Sequence, residues 1–260
     1  MLMQKSRVVI KVGSALLVKN QLIDKERMEA LASLIAKLRQ KYEVILVSSG
    51  AVAAGFTKVK LNKGNLANKQ ALAAIGQPLL MQTYAEIFAF FGIATAQVLL
   101  SAYDFDSRKR TQNARNAMEV LLQNEVLPII NENDVTATGE LSLLLEFGDN
   151  DQLSAHVTHF FNADILAILS DIEGYYNENP SINPAAKIYP KVSEISAETL
   201  KEQATPNNAF ATGGIVTKLK AADFLLQNHR KMFLSSGKRL EVLEKFLLEG
   251  IQVSGTLFEK

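Results

Sequence analysis

Four short stretches of the chain, residues 8–12, 44–47, 126–130 and 165–169, are apolar almost without a break. They are rich in Val, Ile and Leu and lack the alternation of a strand with one wet face, so they predict strands buried on both sides. Residues 93–100 predict a further strand and 253–258 a closing one. Between these runs the apolar spacing lengthens to that of a helix, at 25–40, 68–91, 108–123 and 152–161, and again after 212–218. Strands alternating with helices predict an α/β chain with a mainly parallel open sheet covered on both faces. In such a sheet, ligands gather beyond the carboxyl ends of the strands. The Pro- and Asn-rich residues 177–184 predict a loop, and 188–200 a short strand and helix. No linker or internal repeat divides the chain, so one domain is expected over 1–260, with functional lobes at 1–160 and 161–260.

A chain of 260 residues buries roughly three-quarters of its unfolded surface, enough for a core that needs no covalent staple. There is no cysteine, which removes disulfides, thiolate metal sites and cysteine nucleophiles, and fits a reducing compartment. The opening MLMQKSRVVIKVG is strand-like, too short and too interrupted for a signal peptide. No run nears the roughly 20 apolar residues of a membrane helix, so a cytoplasmic protein without a membrane partner is expected. Lys and Arg number 28 against 27 Asp and Glu, a net charge of +1, without the basic excess of a nucleic-acid binder. Arg108, Lys109 and Arg110, with Arg115 nearby, predict a solvated or subunit-contact face.

The candidate chemistry lies where buried strands end. Thr212, Gly213, Gly214, Ile215, Val216, Thr217 and Lys218 form a Gly-Gly turn running into a helix. Its unpaired N–H groups and the positive end of the helix dipole suit a phosphate, and Lys218 adds a full charge one turn in. Lys11 sits in an otherwise apolar strand, costly to bury without an anion, and Gly13 after it allows close approach to the backbone. Ser48, Ser49, Gly50 and Ala51 suit either a second anion-binding nest or a tight turn. Asn131, Glu132, Asn133 and Asp134 follow a strand and suit an ammonium group, although Asn and Asp also favour turns. Asp149, Asn150 and Asp151 precede a helix they could cap, and the later glutamate of a calcium loop is missing. His156 and His159, three apart on that helix without adjoining ligands, predict a surface or core role. Ser170 and Asp171 end another strand, and Tyr175 and Tyr176 beyond them could wall a purine pocket or pack their loop onto the core.

Taken in order, IKVGS, SSGA, INENDV, GDNDQLSA, LSDIEGYY and TGGIVTKLKAA resemble the amino acid kinase family over nearly the whole chain. Within the family they look most like members that phosphorylate the side-chain carboxylate of glutamate at the head of proline synthesis. The resemblance implies a three-layer α/β/α sandwich, an amino-terminal lobe for the amino acid and a carboxyl-terminal lobe for ATP. It implies that Lys11 and Lys218 neutralise phosphate oxygens while Asp151 holds them in place. Glutamate falls to Ser49, Asp134 and Asn150, with Asn131, Gly50 and Asp149 beside them. The nucleotide falls to Lys11, Gly13, Ser170, Asp171 and the segment 212–218, with Mg²⁺ carried on the ATP phosphates and no metal site on the protein. It further implies proline inhibition, a homo-oligomer (dimer or tetramer) and a reductase that consumes the acyl phosphate. Family members often carry an extra carboxyl-terminal domain of a kind found in RNA-modifying enzymes; it is expected to be lacking here. The apolar residues 141–145 depart from the pattern and are expected to form a flap or subunit contact. Aspartate, N-acetylglutamate or a nucleoside monophosphate as acceptor, or a non-catalytic sensor, stay open on motifs alone.

Overall fold

The computed structural model describes residues 5–136, 150–196, 198–200 and 214–260. The chain opens with strand β1 (Ser6–Val12), a one-turn helix α1 (Ser14–Leu17) and a small hairpin, β2 (Val18–Lys19) and β3 (Leu22–Ile23). Helix α2 (Lys25–Leu38), strand β4 (Tyr42–Ser48) and helices α3 (Ala51–Lys58) and α4 (Leu66–Ala89) follow. Next come β5 (Thr95–Leu100), α5 (Ala102–Asp106), α6 (Arg108–Gln123), β6 (Leu127–Glu132) and α7 (Asn150–Phe160). The carboxyl-terminal part holds β7 (Ile165–Ser170), β8 (Lys191–Val192), α8 (Gly214–Gln227), β9 (Lys231–Ser236), α9 (Leu240–Glu244) and β10 (Thr256–Phe258). The main sheet runs β5-β6-β4-β1-β7-β9-β10-β8, and its pairs are parallel except β9 with β10.

Two apolar layers sandwich this sheet, as the uninterrupted hydrophobic runs require. Val8, Ile10 and Val12 join one core with residues of α2, α4 and α9. Val9 joins the other with residues of α6, α7 and α8. Side chains alternate faces along a strand, so Lys11 shares its face with Val9 and points to α7 and α8. By the same rule Ser48 shares a face with Leu46, and its hydroxyl meets Tyr84 of α4 at 2.9 Å.

The strands depart from expectation mainly at their ends. β6 runs on through Asn131 and Glu132 because both pair with β5, opposite Leu99 and Leu100. β5 starts only at Thr95 because Gly92 turns at φ +67° and Ile93 N–H still bonds back to Phe88. The closing strand is short because Gly255, at φ +87°, turns beneath the Phe233 ring. β9 had no counterpart among the expected strands: its apolar core is only Met232, Phe233 and Leu234, between a lysine and two serines. Residues 141–145 lie outside the described residues.

Helices α3 and α4 meet backbone to backbone. A Cβ at Gly76 would lie 1.8 Å from the Ala51 carbonyl oxygen, and one at Gly55 would lie 1.9 Å from that of Leu72. One residue further on, Gln77 is held almost wholly inside, followed by Pro78 within the helix. Pro78 has no N–H, so the Ala74 carbonyl one turn back lacks its ordinary helical partner. At the start of β1, in the middle of the sheet, Arg7 is buried between Glu43 and Glu119, each 2.8 Å away, and ties β1 to β4 and α6.

Gly76→Ala is expected to lower unfolding free energy by about 1–3 kcal/mol, the usual cost of overpacking. Thermal unfolding followed by circular dichroism measures it; an unchanged midpoint would mean that the two helices are free to separate.

Candidate active site

The carboxyl ends of β1, β4 and β6 and the start of α7 bring polar groups together where the parallel strands finish. Asp151, in the first turn of α7, is fully buried. Its two carboxylate oxygens each take an ammonium group: Lys11 Nζ lies 2.7 Å from Oδ1 and Lys218 Nζ 3.1 Å from Oδ2. Thr217 Oγ1 also donates to Oδ2, at 2.9 Å, and Lys218 Nζ to the Gly214 carbonyl, at 2.8 Å. Burial on its own pushes the Asp151 carboxyl up, but Lys11 and Lys218 more than reverse this and hold it below the usual carboxylate range. Two lysines from opposite ends of the chain therefore converge on one carboxylate, each almost wholly buried itself.

The helix that carries Lys218 is pinned to the one that carries Asp151. Gln152 Nε2 donates to the Thr217 carbonyl at 3.0 Å, and the His156 ring stacks on Phe224 with centroids 4.4 Å apart. His156 thus takes the core role, its Nδ1 2.8 Å from the Gln152 carbonyl and its pKa lowered chiefly by burial. His159 packs edge-on to Phe160 and Phe224, at 4.9 and 5.7 Å.

Beside the ion cluster lies a group of amides. Asn150 Nδ2 donates to Ser49 Oγ at 2.7 Å and to Asn131 Oδ1 at 2.9 Å, and Asn131 Nδ2 donates to Gln77 Oε1 at 2.9 Å. Asn150 Oδ1 is buried and has no partner among the described residues. Gly50 links β4 to α3 at φ +105°, a left-handed conformation that a side chain would strain. A cleft of about 200 Å³ adjoins the amides, lined in part by Ala51, Gln77, Pro78, Glu132 and Asp134. Asp134 is shielded there, and burial pushes its carboxyl above the ordinary aspartate range.

Of the remaining candidates, Gly13 follows β1 beside Lys11, where a Cβ would sit 3.8 Å from Nζ. Gly214 opens α8, and no atom of the described residues outside its own turn lies within 4 Å of its Cβ position. Ile215 is buried in the core, so its backbone alone is left to meet a ligand, while Val216 packs against that core and stays partly exposed. Ser170 ends β7, its hydroxyl donating to Asp171 at 2.9 Å and its carbonyl accepting from Gly237 N–H at 2.7 Å. Tyr175 packs between Tyr189 and Phe258, with ring centroids 5.4 and 6.4 Å away, which is the loop-packing alternative. Asp149, Thr212 and Gly213 lie outside the described residues. Gln77, Gln152 and Tyr84 escaped the reading of the sequence. For Gln77 a signal was there: it is the one polar residue in the stretch ALAAIGQPLLM, 71–81.

The profile of the amino acid kinase family matches residues 6–236. The chain belongs to the amino acid kinase family. Among its family relatives, the glutamate 5-kinase of Wolinella succinogenes is 61% identical over 253 residues, covering 97% of each chain. That of Leishmania donovani is 58% identical over 252 residues, covering 97% of this chain and 94% of the other. The UMP kinase of Ureaplasma parvum superposes with a TM-score of 0.67 over 99% of this chain and all of the other, at 17% identity, a likeness of fold.

Asp151→Asn is expected to cost about 3–5 kcal/mol of stability at neutral pH, since it strands two buried ammonium groups. The folded carboxyl is depressed, so its contribution is complete above the unfolded pKa of about 4 and is lost as pH falls through the lower folded value. Urea unfolding should show a steady gap between wild type and variant from about pH 5 to 8, closing below about pH 4.

Proposed function

We propose that this family member is a glutamate 5-kinase, transferring the γ-phosphoryl group of ATP directly to the side-chain carboxylate of L-glutamate, the first step of proline synthesis. The observation that carries the reading is the Asp151 carboxylate gripped by Lys11 and Lys218 beside an amide cluster with a spare acceptor. Relatives that share more than half of their residues with this chain bear that name.

The chemistry needs little besides charge and position. A glutamate side chain, with a pKa near 4.3, is already ionised at neutral pH, so no general base is required. The obstacle is bringing that anion to a polyanionic triphosphate, and phosphoryl transfer is overcome largely by positioning and electrostatic stabilisation. Lys11 and Lys218, aligned by Asp151, carry more positive charge than Asp151 cancels, and the surplus suits phosphate oxygens. The open backbone at Gly214 and the amino-terminal end of α8 fit a phosphate beside them. ATP, held there with Ser170 and Asp171 towards its nucleoside, supplies the phosphoryl group. Mg²⁺ is assigned to the ATP phosphates, because the buried carboxylate of Asp151 is already committed to two lysines.

On the acceptor side, Asn150 Oδ1 and Asp134 suit the α-ammonium group, Asn131 orients Asn150, and Ser49 with the Gly50 turn suits a carboxylate. Glu132 and Asp134 in the cleft would repel a nucleotide phosphate, and its described lining holds no Lys or Arg. A capped amine, as in N-acetylglutamate, would lose the charge that these groups match. No helix among the described residues is long and apolar enough to cross a membrane. A cytoplasmic homo-oligomer that hands its labile acyl phosphate to a reductase completes the proposal.

A lysine about 4 Å from a phosphate charge contributes on the order of 4 kcal/mol at an effective dielectric near 20, part of which water replaces. Lys11→Ala and Lys218→Ala are each expected to lower kcat by about 10² to 10³. A coupled ADP-release assay over glutamate, aspartate, N-acetylglutamate and UMP tests both roles and substrate; a loss below about threefold, or preference for another acceptor, contradicts the proposal. Asp134→Asn should raise KM for glutamate about tenfold or more. Because burial raises the Asp134 pKa, its ionised form burdens the fold as pH rises through that value. The variant should therefore melt higher than wild type at pH 8, with the difference gone near pH 4.

A further inference from the structure

We propose that Gln77 is a positioning residue for amino-acid recognition, locking a relay of carboxamides in the one polarity that offers a substrate ammonium an oxygen rather than an NH₂ group. The inference rests on the functional reading above and assigns a role to a residue that touches neither lysine nor Asp151.

The polarity follows from groups that have no choice. A backbone N–H can only donate, and that of Glu132 points at Asn131 Oδ1 from 2.9 Å. The other end of the Asn131 amide is therefore its NH₂, and it faces Gln77 at 2.9 Å, so Gln77 must present its carbonyl. Asn131 Oδ1 also receives Asn150 Nδ2 at 2.9 Å. A backbone carbonyl can only accept, and that of Ser48 lies 3.3 Å from the same Asn150 nitrogen. Asn150 is thus oriented from two sides, which leaves Oδ1 as the buried acceptor without a partner among the described residues. Ser49 Oγ, already accepting from Asn150 at 2.7 Å, keeps its own proton to give. The relay ends in an acceptor for an ammonium next to a donor for a carboxylate, the two poles of a free amino acid.

Gln77 can hold this arrangement because its backbone cannot drift. Gly76, the residue before it, is pressed against Ala51 and Gly55 with no room for a Cβ. The Gln77 side chain is almost wholly buried and also lines the cleft. Removing its carbonyl strands the Asn131 NH₂ as a buried donor, a costly state that is relieved when Asn131 swings away. Asn150 then loses one of the three acceptors that hold its NH₂ group and is able to turn that group to the substrate.

The test compares Gln77→Met, which removes the acceptor, with Gln77→Glu, which keeps one. Calorimetric titration with L-glutamate and with glutarate, the same diacid without its ammonium group, reads the preference directly, and ADP release reads turnover. Gln77→Met is expected to lose about tenfold or more of the glutamate-over-glutarate preference, with KM for ATP and kcat at saturating glutamate within about twofold of wild type. Gln77→Glu is expected to keep the preference within about threefold. An unchanged preference in a folded Gln77→Met overturns the relay, as does its loss in Gln77→Glu; the second outcome decides even if the methionine variant fails to fold. A wild type without any preference also overturns it. A wild type that prefers glutamate to glutarate but releases no ADP would instead overturn the kinase reading and leave the relay standing.

Discussion

A single buried carboxylate organises the proposed active site of this molecule. Asp151 has no access to water, and an isolated ion in such a place would be neutralised by its own desolvation cost. Lys11 and Lys218 make ionisation favourable, and in doing so are themselves aligned. The cluster also joins the two ends of the chain: β1 contributes one ammonium group, α8 the other, and α7 the acid between them. Because each lysine is held by Asp151, the proposed phosphate-binding charge is fixed by the fold itself and needs little further ordering.

The two-residue period of the strands divides the labour. Lys11 falls on the face of the sheet covered by α7 and α8, where the ion cluster forms. Ser48 and Asn131 fall on the opposite face and are held by Tyr84 and Gln77 of α4. Asn150 sits at the sheet's edge, at the start of α7, and joins the two sets. The charged machinery and the amide machinery are thus built on different layers and meet only where the strands end. This follows from ordinary β geometry, with a glycine at the left-handed turn between β4 and α3.

Much of this was legible beforehand, and for physical reasons. Uninterrupted apolar runs reveal strands buried on both faces, so the parallel α/β sandwich could be read from 8–12, 44–47, 126–130 and 165–169. A lysine inside such a run, as at Lys11, is conspicuous because it needs an anion. Gln77 also stands out as a polar residue in an apolar stretch, but its meaning depends on Asn131, more than fifty residues away, and on a backbone N–H whose direction only the folded strand sets. β9 was missed because three apolar residues make too short a pattern. The ends of β5 and β10 were misplaced because Gly92 and Gly255 adopt positive φ, which spacing does not disclose.

Pro78 gives the longest helix of the described fold a mechanical character. Twenty-four residues of α4 make a rod about 36 Å long, and the missing N–H leaves one turn less firmly tied than its neighbours. That turn, Ala74 to Pro78, is also a wall of the cleft. The rod is clamped against α3 just at Gly76, so the turn that the proline leaves short of a hydrogen bond is held by contact with a neighbouring helix instead. The cavity wall therefore owes its rigidity to the packing of two helices rather than to the hydrogen bonds of one.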